Sequence, residues 1–160
     1  MSKKIIVGSD GLGIGLKNSI KEHLTKKGFE VIDIGMQDEQ HSMPYFEISS
    51  KAAKAIQSGV ADRAILFCGT GMGVAIAANK FKGIYAGVVE SEYTAEMCKA
   101  INNCNVMTMG ARVVSDFRAK QAVDRWLSTE FTVGDFPPEI KVLLKEALVE
   151  LGKIENENMK

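Results

Sequence analysis

Arg63-Ala64-Ile65-Leu66-Phe67-Cys68-Gly69-Thr70-Gly71-Met72-Gly73-Val74-Ala75-Ile76-Ala77-Ala78-Asn79-Lys80 runs from an unbroken apolar segment, through three alternating glycines, into a stretch of helical character. The first part predicts a buried strand over 63–68 and the last a helix over 72–80. Glycines at a strand-to-helix turn leave backbone N–H groups bare and pointing above the sheet, so such a loop can hold a phosphate or a developing oxyanion. The same helix terminus favours the thiolate of a cysteine at the loop's first position. A thiolate beside an oxyanion cradle suits proton abstraction next to a carbonyl. The plainer alternative is a tight turn with a buried thiol, which is common in α/β proteins.

Outward from this loop, short apolar runs alternate with helix-period segments. Strands are expected at 4–8, 29–34, 84–89 and 106–109. Helices are expected at 13–27, closed by Gly28, at 44–57, ended by Ser58-Gly59, at 91–102 and at 116–129. A last helix over 139–152 follows Gly134 and Pro137-Pro138, with a polar tail from about 153. Strand–helix alternation implies an α/β fold with a parallel sheet covered on both faces. No repeat, low-complexity linker or second domain interrupts the 160 residues, so 1–160 is expected to be one domain. Ligands of such open sheets sit outside the carboxyl ends of the strands. Those ends carry Ser9-Asp10-Gly11, Gly35 onward, Cys68-Gly69-Thr70, Glu90-Ser91 and Gly110-Ala111-Arg112.

Lys plus Arg equals Asp plus Glu at 20 each, so no charge excess points to nucleic acid or an anionic membrane. No apolar run reaches the ~18 residues that span a bilayer. Met1-Ser2-Lys3-Lys4-Ile5-Ile6-Val7-Gly8 enters a short strand and does not resemble a signal peptide. Three cysteines without CxxC pairing and only two histidines leave few ligands for zinc. A cytoplasmic, reduced protein with no metal and no cofactor is expected. The eight methionines read as core filler.

Val7-Gly8-Ser9-Asp10, Gly28-Phe29-Glu30-Val31-Ile32-Asp33, the 68–73 loop with Ala77-Ala78-Asn79-Lys80, and Asn102-Asn103-Cys104-Asn105-Val106 followed by Gly110-Ala111-Arg112-Val113 together resemble the B-type ribose-5-phosphate isomerases and the related galactose-6-phosphate isomerase subunits. The resemblance covers most of residues 3–128. It implies a single Rossmann-like three-layer domain with a five-stranded parallel sheet and a C-terminal helix. It also implies a homodimer or dimer of dimers with sites at the subunit interface, and aldose–ketose isomerisation of a sugar phosphate through a cis-enediolate. Carried over, Cys68 is the base between C1 and C2. The Gly69, Gly71 and Gly73 amides with Asn102 hold the enediolate oxygen, and Thr70 handles a hydroxyl proton. Asp10 binds sugar hydroxyls, Arg112 meets the phosphate, and Gly11 and Met72 line the site. Val74 stands where some relatives place a glutamate base, which puts this chain with the cysteine-base members.

Three positions depart from that pattern. Gly11 and Ile101 stand where members acting on cyclic sugars have histidines, the second being the ring-opening group. Asp135-Phe136-Pro137-Pro138-Glu139 replaces an expected pair of arginines, so Lys141 or His41 is left to compensate. Ribose 5-phosphate closes its ring through O4. In a tetrose 4-phosphate O4 carries the phosphate, so that ring cannot form and no ring-opening histidine is needed. Ile101-Asn102-Asn103 with Met107-Thr108-Met109-Gly110-Ala111-Arg112 is likewise similar to the erythrulose-4-phosphate isomerase branch. D-Erythrulose 4-phosphate to D-erythrose 4-phosphate is therefore the expected reaction, with ribose 5-phosphate or galactose or allose 6-phosphate as alternatives.

Plainer readings stand beside these. Cys98 and Cys104 read as buried small hydrophobes, Asn102 also as a helix cap, and Arg112 also as a partner of a surface carboxylate. His41 reads as a loop histidine with a possible substrate contact, and His23 as part of a solvated helix face. Gly11-Leu12-Gly13-Ile14-Gly15 with Asp33 imitates a dinucleotide-binding domain. However, Leu16 and Asn18 fall where its third glycine belongs. A non-catalytic isomerase subunit is disfavoured because the cysteine loop is kept. Ile140, Leu143, Leu144, Ala147, Leu148 and Leu151 form an apolar helix face suited either to a neighbouring subunit or to the chain's own sheet.

Overall fold

The apolar run ending at Cys68 becomes the middle of the sheet. In the computed structural model, which describes residues 3–38, 41 and 43–159, β3 (Ala64–Cys68) is buried at every position. It lies between β1 (Lys4–Ser9) and β5 (Val106–Gly110), which pair with it in parallel. β2 (Glu30–Asp33) and β4 (Ala86–Val88) are the edges, giving the order β2-β1-β3-β5-β4. Met1 and Ser2 of the N-terminal stretch considered above lie outside the described residues.

Side chains of a strand alternate between faces, and here the two faces feed two separate cores. Ile5, Val7, Ile65, Phe67, Met107 and Met109 face α1 (Ile14–Lys26), α4 (Glu92–Ala100) and α5 (Asp116–Ser128). Ile6, Ala64, Leu66 and Cys68 face α2 (Tyr45–Gln57) and α3 (Met72–Ala78). Each large apolar side chain fully withdrawn from water contributes about 1.5–3 kcal/mol. The expected three-layer architecture is thus formed.

β4 is shorter than expected, and a side chain caps its outer edge. The Asn79 amide accepts from the Ala86 N–H at 2.7 Å and donates to the Ala86 carbonyl at 2.9 Å, standing in for a neighbouring strand. Helix α6 (Pro138–Asn158) instead continues six residues past 152, through the segment expected to be a polar tail. Lys153 pairs with Glu150, and Glu155 accepts from the Gly83 N–H at 2.7 Å, so polarity there marks a solvated helix rather than its end. None of the 21 residues of α6 is buried. Leu144 and Leu148 are half-buried, while Ile140, Leu143, Ala147 and Leu151 are exposed. The apolar face therefore does not sink into the chain's own sheet.

One buried charge organises the first β–α–β unit. Lys17 of α1 is 0 % exposed, and its ammonium donates to both Asp33 oxygens (3.0 and 2.8 Å) and to the Met36 carbonyl (2.8 Å). Asp33 also accepts from Lys21 at 3.0 Å and from the Gly35 N–H at 3.1 Å. Burial alone would raise the Asp33 pKa, but these donors hold it below the usual carboxylate range. The acid that imitated a ribose-binding residue is consumed by two lysines, which removes the dinucleotide reading. His23 is likewise more than a solvated residue. Its Nε2 lies 2.8 Å from Asp124 Oδ1 and ties α1 to α5.

Asp33→Asn should destabilise the fold by about 3–5 kcal/mol, because it leaves the Lys17 charge buried without a counter-charge. An aspartate whose folded pKa is depressed contributes fully above its unfolded value of about 4 and loses that contribution as pH falls through the folded value. Urea midpoints measured across acid and neutral pH should therefore drop at pH 7 in the variant and decline less steeply below about pH 4. An unchanged acid limb would count against this account.

Candidate active site

Three strand ends deliver the candidate residues to one place. Ser9 is in register with Phe67, so Asp10 and Cys68 leave the sheet side by side. Cys68 is in register with Gly110, two residues before Arg112. The Ala111 N–H donates to the Cys68 carbonyl at 2.9 Å and the Arg112 N–H to the Gly69 carbonyl at 3.0 Å, so the 68–70 and 110–112 segments travel together.

The glycines make that approach sterically allowed. Gly71 has φ +79°, which an L side chain adopts only under strain, and a Cβ there would lie 2.8 Å from the Met109 carbonyl carbon. A Cβ at Gly110 would lie 2.5 Å from the Thr70 carbonyl carbon, a backbone atom that cannot step aside. The loop is thus pressed onto the end of β5.

Cys68 is buried, and its sulfur accepts the Gly71 N–H at 3.1 Å. One of the three glycine amides expected at an enediolate oxygen is thus directed at the thiol in this structure. The Gly73 and Val74 N–H groups precede the first helical bond, Ala75 N–H to Gly71 carbonyl at 3.4 Å, so they have no carbonyl of the helix to bond. Thr70 Oγ1 accepts from the Met72 N–H at 3.3 Å, which leaves its own proton available. Asp10 caps the 3₁₀ turn Gly11–Gly13 with one carboxylate oxygen, accepting from the Leu12 N–H at 3.0 Å. Arg112 is exposed and forms no ion pair among the described residues.

Of two further expected contacts, one is held by its own loop and the other stands apart from this cluster. The His41 side chain is 84 % exposed and its ring lies on Asp38 (Nδ1 to Oδ1, 3.0 Å), with 39, 40 and 42 outside the described residues. Asn102 follows α4, before β5 begins at Val106, whereas Cys68 sits at the far end of β3 opposite Gly110. Five strand residues at about 3.3 Å each separate the two by roughly 15 Å. Asn102 instead borders a cavity of about 440 Å³ beside the edge strand, lined also by Asn79, Gly87, Cys98, Cys104 and Leu151. Two walls were not anticipated: Leu12 leans over Gly69, and the Tyr45 ring lies against Gly73. With Phe46, Met72 and Ile76 they form an exposed apolar rim around the loop. An aromatic pair directly after Pro44 was their only sequence signal.

A model of the ribose/galactose isomerase family matches residues 5–142, which hold all of the sheet but Lys4 and all of α1 to α5. The chain belongs to that family. It is 47 % identical over 129 residues to a 4-deoxy-4-sulfo-D-erythrose isomerase of Clostridium sp. (strain MSTE9), covering 81 % of each protein. It is 36 % identical over 137 residues to a D-erythrulose-4-phosphate isomerase of Pectobacterium atrosepticum, covering 86 % of this chain and 90 % of that one. The structure of Clostridium thermocellum ribose-5-phosphate isomerase B superposes with a TM-score of 0.87 at 40 % identity, covering 96 % of this chain and 98 % of that one. The protein is therefore an aldose–ketose isomerase of the ribose/galactose isomerase family.

Gly71→Ala in this isomerase should cost about 1–3 kcal/mol in backbone strain and contact. It should also lower turnover at least about tenfold, a loss of about 1.4 kcal/mol in transition-state stabilisation, because the displaced N–H holds the Cys68 sulfur. Gly83→Ala is the control, since Gly83 has φ +76° but open space around it. That variant should lose about 1–2 kcal/mol and keep its turnover. Thermal melts with steady-state assays separate the two outcomes.

Proposed function

We propose that this isomerase interconverts an open-chain four-carbon 2-ketose and its aldose, each bearing a strong-acid group on C4, with sulfonate favoured over phosphate. The observation that carries this reading is the loss of both proton-shuttling side chains, Gly11 and Ile101 standing in their places. Neither a 4-phosphate nor a 4-deoxy-4-sulfo tetrose has a free O4, so neither closes a five-membered ring and neither needs one opened. The named substrates of two relatives, a 4-sulfo-erythrose and erythrulose 4-phosphate, share this property.

In this reading Cys68 takes the proton from C1 of the ketose and returns it to C2. The Gly71 N–H steadies the sulfur at 3.1 Å. The Gly69 and Gly73 N–H groups face the enediolate oxygens, Thr70 moves the hydroxyl proton between them, and Asp10 holds the sugar hydroxyls. Arg112 meets the acid group. One arginine with Asp135 and Glu139 in place of two more suits a monoanion better than a phosphate carrying close to two charges.

Asn102 reaches such a site only from a second copy of the chain. The exposed apolar rim of the loop and the unburied apolar residues of α6 supply the surface for that copy. Cytoplasmic location is part of the same proposal.

Purified protein should turn over 4-deoxy-4-sulfo-erythrulose and erythrulose 4-phosphate with kcat/KM at least about 10²-fold above ribose 5-phosphate, the low end of general acid–base assistance. Ile101→His should raise ribose 5-phosphate turnover without helping either tetrose. Equal efficiency on ribose 5-phosphate, or a better six-carbon phosphate, would overturn the proposal. A faster phosphate than sulfonate would transfer the assignment to erythrulose 4-phosphate.

Site sharing has its own signature. Cys68→Ala and Asn102→Ala should each be inactive alone. Mixing them should restore activity, because a heterodimer keeps one site with both native groups. No recovery after subunit exchange, confirmed by mass, would reject a shared site.

A further inference from the structure

We propose that Cys98 and Cys104 are a peroxide-responsive dithiol that closes to a disulfide across the loop carrying Ile101 and Asn102. Neither residue belongs to the Cys68 cluster, and both are buried free thiols. Cys98 is late in α4 and Cys104 follows six residues on. The Cys104 N–H donates to the Cys98 carbonyl at 3.0 Å, which draws the two backbones together. Both sulfurs reach one spot, the bare Cα of Gly87 on the edge strand. A Cβ there would be 2.6 Å from Cys98 Sγ and 3.3 Å from Cys104 Sγ. The missing side chain is the room in which the sulfurs meet, and a disulfide needs that proximity. Both cysteines line the 440 Å³ cavity, which gives a small oxidant access.

The two thiols are chemically unequal. The hydrogen bond between them holds Cys104 below the ordinary thiol range, against the effect of burial, and the nearby Lys99 ammonium acts in the same direction. That hydrogen bond and burial push Cys98 up. Cys104 is thus the attacking sulfur and Cys98 the resolving one. Cys104 thiolate attacks one peroxide oxygen; the S–O bond forms, the O–O bond breaks, and hydroxide leaves as water after protonation. Cys98, losing its proton, then attacks the sulfenic sulfur; the S–S bond forms, the S–O bond breaks, and a second water leaves. Two thiols lose two electrons, and one peroxide is reduced to two waters.

A disulfide sets the sulfurs about 2.05 Å apart, closer than any non-bonded contact, so the 98–104 loop contracts toward β4. Asn103 already sits at φ +49° within that loop, next to Asn102. Oxidation therefore moves Asn102. The effect on turnover rests on the reading that Asn102 serves a partner's site, whereas bond formation does not.

The experiment treats intact protein with stoichiometric hydrogen peroxide and maps it after trypsin. Cleavage after Lys82, Lys99 and Arg112 puts the two cysteines on separate peptides, 83–99 and 100–112. These should appear joined, and should separate after dithiothreitol. Cys98→Ser should have normal basal turnover, give no joined peptide, and leave a Cys104 sulfenic acid that dimedone traps. Wild-type turnover should fall at least tenfold with the joined peptides and return with dithiothreitol. Absence of joined peptides at peroxide levels that oxidise Cys68 would overturn the proposal, as would linkage of either cysteine to Cys68 instead. Joined peptides with full turnover support the dithiol and count against the role given to Asn102.

Discussion

The backbone of Thr70 rests on Gly110, and the candidate site is built around that contact. A side chain at Gly110 would meet the Thr70 carbonyl carbon at 2.5 Å, and one at Gly71 would meet the Met109 carbonyl carbon at 2.8 Å. Because neither exists, the loop after β3 lies flat against the end of β5. The hydrogen bonds from Ala111 and Arg112 to Cys68 and Gly69 then lock the two segments in one register. Cys68 is consequently held between rigid strands rather than on a free loop, and Arg112 arrives beside it by backbone geometry alone. Precision of this kind is what a proton-transfer site needs, since small displacements of the base are costly in rate.

The other wall depends on a buried charge. Among the described residues Lys17 is the one lysine fully enclosed by the fold, and its three acceptors lie on β2 and the loop beyond it. An ammonium in the interior is tolerable only when every donor is satisfied and a counter-charge is near. The Asp33 carboxylate and the Met36 carbonyl meet that requirement, and the Gly35 N–H braces the carboxylate; together they fix the segment next to Gly11, whose Cα faces the Met36 side chain. The pair therefore serves the site indirectly, through the shape of the chain around Asp10 and Gly11.

A single chain leaves the site unfinished. Asn102 stands at the opposite end of β5, the loop is ringed by exposed Leu12, Tyr45, Phe46, Met72 and Ile76, and no residue of α6 is fully buried. These separate features are explained together if a second copy covers the rim, as proposed above. The proposed preference for a tetrose with an acid group on C4 has an equally simple physical basis. Replacing the histidines at positions 11 and 101, the second of them the ring-opening group, is harmless only to a substrate with no ring, and carboxylates at 135 and 139 tolerate a monoanion better than a dianion.

The order of strands and helices, the parallel sheet and the position of the cysteine loop were all readable from local pattern. Apolar runs and glycine punctuation depend on near neighbours in the chain, and those are what a sequence displays. The apolar face of α6 was readable too, but not which way it turned. What tertiary structure decided were the long-range pairings. Asp33 looks like a ligand-binding acid until Lys17, sixteen residues earlier, is found buried against it. His23 looks solvated until Asp124 arrives from α5, and the Gly71 amide looks free until it is seen to point at Cys68 Sγ. Asn102 belongs with Cys68 by motif, yet the parallel crossover carries it to the other end of the sheet. Periodicity records which face of an element is buried; only the folded chain determines which distant group meets it there.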